Sequence, residues 1–151
     1  MKLWTKWGIS VAAALGAAAI SAPPASAVVA ANPYSAAEAC ATDFGGSWSP
    51  ASDGHREVRS GTAKWGDVYL MYNSAHANCV ATIKSVDVGT KTYVDAGILV
   101  QGGTWHEDSG QFAYYAAVKV SANNQCVQYD GFVAHGSGLA TGGRHTWGNC
   151  G

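Results

Sequence analysis

The chain has 151 residues, a formal net charge of −1 and only 13% charged residues. Lys and Arg nowhere cluster, which excludes the phosphate-binding surface that a nucleic-acid partner requires. The four cysteines are widely spaced and form no Cys-x-x-Cys pair, which argues against zinc-ribbon and redox-motif readings.

The first segment is "MKLWTKWGISVAAALGAAAISAPPASA". Lys2 and Lys6 give a positive start, Gly8 to Ile20 a small-residue apolar run, and Ala25-Ser26-Ala27 an A-x-A cleavage signal. A membrane-spanning helix needs about 20 apolar residues, more than this run supplies. The segment therefore predicts a secretory signal peptide over 1–27. The mature chain, Val28 to Gly151, has 124 residues, with seven basic residues against ten acidic ones. It is expected to be a single exported domain, 28–151, with no membrane segment. A domain of this size buries roughly two-thirds of its unfolded surface.

Residues 28–34 are expected to form a flexible arm. "NPYSAAEACATDF" then predicts a short helix capped by Asn32 or Ser35. Ser35-Ala36-Ala37-Glu38 fits a capping box, Pro33 suits the first turn if Asn32 is the cap, and Gly45-Gly46 stops the helix. Ser47 to Lys64 is polar and reads as one weak strand or a long loop.

Everything after that reads as β. Tyr69–Asn73 and Cys79–Lys84 flank a polar turn and predict a hairpin. In Thr92–Gln101, Val94, Ala96, Ile98 and Val100 share one face, while Tyr93, Asp95 and Gly97 share the other. "GQFAYYAAVKVSA" repeats the alternation, with Phe112, Tyr114, Ala116, Val118 and Val120 opposite Tyr115, Ala117 and Lys119. Cys126–Val133 and Leu139–Trp147 follow as strands separated by "AHGSG". Five or six short strands with frequent turns predict a mainly β fold: a small antiparallel β-sandwich or barrel with a short N-terminal helix.

An even cysteine count in a short exported chain predicts two disulfides. Antiparallel pairing of Cys126–Val133 with the end of the chain brings Cys126 opposite Cys150. This register favours Cys126–Cys150 and leaves Cys40–Cys79 to tie the helix to the hairpin, although the sequence alone permits three connectivities.

"NPYSAAEAC", "VYLMYNSAHANCVATIKS", "GQFAYYAAVKV" with a cysteine shortly after it, and a terminal "W-x-x-C-G" together resemble the spore-associated protein A family, small secreted proteins of filamentous actinobacteria. The resemblance implies export and association with the spore or cell surface. It carries over Cys40, Cys79, Cys126, Cys150 and the strands around them, and no catalytic residue. The chain departs from the family's pattern at "WSPASDGHREVRS" and "DGFVAHGSGLATGGRHTWG".

The most suggestive chemical cluster is "HEDSG", His106 to Gly110. A hydrolase needs a nucleophile, a base and an orienting group brought together in space, usually from distant segments. A solvated turn between two strands is the expectation for this loop. "HGSG" around Ser137 lacks the first glycine and the α/β context of a nucleophile elbow. His55, His76, His106, His135 and His145 are scattered, with no His-x-His or His-x-x-x-His pair, so neither metal nor cofactor is expected. Aromatic residues are the remaining signal. Tyr69 and Met71 alternate away from Val68, Leu70 and Tyr72, and Tyr115 lies opposite the Phe112–Val120 face. A strand with two apolar faces is either covered on both sides or presents a contact surface. Tyr69, Met71, Tyr115 and Trp105 are the residues expected to form such a surface, and Val68–Tyr72, if it lies at an edge, is open to strand addition.

These observations predict a secreted, non-enzymatic protein that associates with the spore or cell surface, or with an unidentified secreted or cell-surface partner. The alternatives are an adaptor in a secreted assembly, an inhibitor of an extracellular protease, and a small hydrolase using His106 and Ser109.

Overall fold

The computed structural model describes residues 30–151 together with 21, 23 and 24; the expected signal peptide, 1–27, otherwise lies outside the described residues. Helix α1 (Ala36–Phe44) begins at the capping box. Glu38 N–H donates to Ser35 Oγ at 3.2 Å, and Ser35 N–H donates to a Glu38 carboxylate oxygen at 2.7 Å, so Ser35 rather than Asn32 is the cap. The helix stops at Gly45, whose φ of 71° suits glycine, and whose N–H donates to Ala41 O at 2.8 Å. Residues 32–34, expected within a flexible arm, are instead held down. Asn32 Nδ2 donates to Lys84 O at 3.0 Å and Tyr114 O at 2.8 Å, and Tyr34 meets Tyr115 edge-on with ring centroids 4.9 Å apart.

The rest of the chain forms eight antiparallel strands: β1 (Ser49–Ser60), β2 (Ala63–Tyr72), β3 (Ala77–Lys84), β4 (Thr92–Val100), β5 (Trp105–Phe112), β6 (Tyr115–Ser121), β7 (Val127–His135) and β8 (Gly138–Gly148). They make one sheet in the order β5-β4-β7-β8-β1-β2-β3-β6. The terminal strands of that order, β5 and β6, come together and nearly close a barrel. At the seam the Asp108 carboxylate, in place of a strand carbonyl, accepts the Ala117 N–H at 3.0 Å.

Alternation decides what fills the barrel. Val68, Leu70, Val80, Val94, Ala96, Ile98, Val127, Tyr129 and Val133 point inward and are fully buried. Each such Val, Leu or Ile contributes about 1.5–3 kcal/mol through burial. Outward positions of β2, β3 and β6 meet α1, which covers Met71, Cys79, Ala81, Ile83 and Ala117. This explains the two apolar faces of β2. The inner one is barrel core, and the outer one is roofed by a helix.

Both disulfides match the expected pairing, Cys40–Cys79 and Cys126–Cys150. The β7–β8 hairpin starts two residues off the expected register, with Val133 opposite Ala140. An irregularity between Val127 and Tyr129 restores it, placing Val127 opposite Gly148 and bringing Cys150 within reach of Cys126.

Two segments depart from the sequence reading. Ser49–Ser60, read as a weak strand or loop, is a twelve-residue strand that pairs with β2 through a wide irregularity between Pro50 and His55. "HEDSG", read as a turn, is the middle of β5, because its polar residues lie on an edge strand whose partner β4 supplies the apolar content.

Candidate functional site

The four residues expected to share a contact surface are separated. Met71 is only 2% exposed and lies beneath α1, so it is core and offers nothing to a partner. Tyr69 and Tyr115 pack against the same helix cluster. The Tyr115 hydroxyl donates to Asp43 at 2.9 Å, and burial, helped by that carboxylate, pushes its pKa up to about 12. β2 is not an edge, since β1 pairs on one side and β3 on the other. Strand addition at Val68–Tyr72 is therefore blocked. Trp105 alone of the four is substantially exposed, at 37%, and it stands on β5, outside the cluster that α1 covers.

The β5 alternation also dismantles the suspected catalytic cluster. Ser109 lies opposite Asp95 and Glu107 opposite Gly97, on the outer face. His106 and Asp108 lie opposite Ile98 and Ala96, on the inner side, and Asp108 is committed to the barrel seam. His106 and Ser109 thus project from opposite faces of one strand.

The outer face of β5-β4-β7-β8 gathers chemistry that adjacency in sequence conceals. Ladder partners place Glu107, Gly97, Asp130 and Gly143 in one row and Ser109, Asp95, Phe132 and Thr141 in the next. Gly97 is required here: a Cβ on it would lie 2.5 Å from Asp130 Oδ1 and 3.4 Å from the Trp105 ring. Gly97 is itself buried, covered by the Trp105 ring and the Asp130 carboxylate. Asp95 is only 4% exposed. The Tyr93 hydroxyl donates to its Oδ2 at 3.3 Å, while Oδ1 is buried without a partner. Burial, with Glu107 and Asp130 nearby, raises the Asp95 pKa to about 6. Burial raises that of Asp130 as well, opposed by His145, whose Nε2 lies 3.9 Å away. Tyr93 and Leu139 are exposed on one flank of this acidic band and Trp105 on the other. Trp147, near the end of β8, is exposed as well. The sequence carried a trace of this face in Tyr93, Asp95 and Gly97, which share the polar side of β4.

A second feature lies at one end of the barrel. Tyr72, Asn78 and Ala122 stand at the inward-facing register of β2, β3 and β6 where those strands end, and they open into a cavity of about 450 Å³. Its wall is completed by Ala51 and Ser52 from the β1 irregularity, by Asn124 from the β6–β7 turn and by Asn149 from the C-terminal tail. Asn149 Nδ2 donates to Ser52 O at 3.0 Å, and the Cys126–Cys150 bridge fixes the tail beside it. Among the described residues no group of three or more His, Cys, Asp or Glu side chains is placed to hold a metal ion, and no helix is long and apolar enough to cross a membrane.

Over 73 residues the chain is 40% identical to "Spore-associated protein A" of Streptomyces coelicolor. The match covers 46% of this chain and 47% of that protein, so it spans about half the length of each. No family model matches the chain. No solved structure matches it.

Proposed function

We propose that this is an exported, non-catalytic contact domain that associates with the spore or cell surface through the outer face of β5-β4-β7-β8. Its partner there is a secreted or cell-surface protein that presents Lys or Arg side chains. One observation carries the reading: Trp105, Tyr93, Leu139 and Trp147, four of the five exposed large apolar side chains among the described residues, stand on these strands, and the first three border a band of Asp95, Asp130 and Glu107. Aromatic and apolar groups around carboxylates suit a cationic side chain, which gains from the ring face and the negative charge together. Two disulfides suit an exported chain. The name of the Streptomyces protein supports an association with spores. The β5 geometry favours contact over turnover, because it places His106 and Ser109 on opposite faces.

The test is recovery of tagged mature protein on spores and on secreted proteins from culture supernatant, comparing wild type with Trp105→Ala and Glu107→Gln. Both positions are exposed, so both variants should fold. The wild type should be captured at low salt, less well at high salt, and the variants poorly throughout. Equal capture of all three proteins would remove this face from the reading.

A further inference from the structure

The cavity at the barrel end is independent of the contact face and differs from it in chemistry. Its lining holds no Lys, Arg, Asp or Glu, and its titratable side chains are His76 and Tyr72. It has no Lys or Arg to neutralise a phosphate or carboxylate. It also lacks large aliphatic walls for a lipid, since its apolar lining is Ala51, Ala77, Ala122 and the ring of Tyr72. What it offers is amide groups and one broad aromatic surface. Tyr72 is 50% exposed. Asn78 is 7% exposed, with its Nδ2 donating to Met71 O at 3.3 Å. Asn149 is anchored through Nδ2, and its Oδ1 is buried with no protein partner. The Asn78 amide, held by its donor, leaves its carbonyl oxygen for a ligand's hydroxyl hydrogen.

The backbone around this mouth is held in unusual conformations. His76, Asn124 and Asn149, all lining residues, have φ values of 56°, 52° and 53°. Asp53, beside lining residue Ser52, has φ 51°. Four of the five non-glycine residues with positive φ among those described therefore sit at or next to one cavity. Such conformations persist where surrounding structure holds them, and here a strand irregularity, two turns and a disulfide do so. The volume, about 450 Å³, falls in the lower part of the usual small-ligand range of roughly 300–1,000 Å³.

We propose that the barrel mouth binds a neutral saccharide of one or two sugar units, stacked on Tyr72 and hydrogen-bonded by Asn78 and Asn124, with Asn149 completing the wall. A sugar presents an apolar C–H face to an aromatic ring and hydroxyls at its edge, the division of labour this lining displays. The sugar is free or forms the end of a longer glycan, because a closed polymer chain would need a groove with two exits.

The experiment titrates the mature domain with cellobiose, maltose, chitobiose and mannobiose, with digalacturonate as the charged comparison. Binding is read by calorimetry and by NMR of the asparagine side-chain amides. At least one neutral disaccharide should bind and shift the Asn78 and Asn124 resonances, and digalacturonate should bind more weakly. Tyr72→Ala should weaken binding about tenfold, the equivalent of one lost stacking contact. Asn124→Gly, which keeps the positive φ of that exposed turn and removes the amide, is the independent second variant and should also weaken it. Comparing each disaccharide with its monosaccharide and with a longer oligomer separates a free-sugar site from a chain-end site. The proposal is overturned if no neutral sugar binds, if digalacturonate binds best, if shifts fall on the Trp105 face instead, or if both variants bind like wild type.

Discussion

The Lys84 ammonium donates to Thr92 Oγ1 at 2.7 Å inside the end of the barrel opposite the cavity. Lys84 follows Val80 and Thr82 on the inward face of β3, and it is buried. Its amine also reaches Thr90 O at 2.7 Å, Asp87 O at 3.0 Å and Phe112 O at 3.2 Å. One cation thus ties the end of β3, the β3–β4 loop, the start of β4 and the end of β5. Burial lowers its pKa, with Asp87 acting in the other direction. The barrel is plugged at this end by a satisfied charge and left open at the other.

Replacing the plug should be costly. Lys84→Met keeps the length of the side chain but takes the ammonium away from Thr90 O, Phe112 O and Thr92 Oγ1, while Asp87 O keeps the Thr90 N–H at 2.9 Å. The loss should be about 2–4 kcal/mol in urea unfolding, since each buried acceptor left without a donor costs roughly 1–3 kcal/mol and removal of the buried charge offsets part of the total. Thr92→Val removes one acceptor of four and should cost about 1–2 kcal/mol. Equal, small losses for both would show that the ammonium is hydrated and not structural.

The seam gives a second expectation. Asp108→Ala removes the acceptor for Ala117 N–H at the one boundary where no strand ladder closes the barrel. Stability should fall by about 1.5–3 kcal/mol, the net worth of a hydrogen bond to a charged group. Hydrogen exchange at Ala117 should accelerate more than at Val80 or Ile98. Unchanged exchange at Ala117 would mean that β6 is held by α1 and β3 alone.

These two residues show where sequence reading succeeds and where it stops. Alternation in Val94–Val100 and Ala116–Val120 identified inward faces, because a barrel core selects apolar side chains at every second position. The Ser35–Glu38 capping box was legible because both partners lie within four residues. β1 was hidden, since it carries Asp53, His55, Arg56, Glu57 and Arg59 and buries little beyond Val58 and Gly54. β5 was hidden for a related reason. An edge strand with one wet face reads as a turn until its ladder with β4 is known. Met71 was misplaced because nothing in β2 reveals that a helix thirty residues earlier roofs its outer face. The candidate sites were legible only in fragments. The acidic band joins Asp95, Glu107 and Asp130, and the cavity joins Ser52, Tyr72, Asn124 and Asn149, contacts that ladder order and a disulfide create.

The acidic band should impose a pH signature. The Asp95 carboxyl titrates near pH 6 in the folded chain, above its ordinary value of 3.8. A raised carboxyl means that the folded state binds more protons than the unfolded state between these values. The native state is thus favoured as pH falls through the window and loses that advantage as pH rises through about 6. Asp95→Asn should therefore raise the melting temperature relative to wild type at pH 8, by about 2–6 °C, and the gap should close toward pH 4. A gap that widened on acidification would mean that Asp95 is stabilised as an anion in the native protein.

The two disulfides should separate by function though they resemble each other in stability. Cys40–Cys79 and Cys126–Cys150 span 39 and 24 residues. Each should contribute about 3–4 kcal/mol in the chain-entropy model. Cys40→Ser with Cys79→Ser frees α1, which otherwise covers Met71, Ala81 and Ile83, so this variant should expose apolar surface and bind a hydrophobic dye. Cys126→Ser with Cys150→Ser frees the tail that holds Asn149 against Ser52. It should leave α1 in place, bind little dye and lose affinity at the barrel mouth, while capture through the Trp105 face persists. Melting temperatures, dye binding and sugar titration on the two variants check this division. If both variants bind dye equally and keep the same sugar affinity, the C-terminal bridge holds no wall of the cavity.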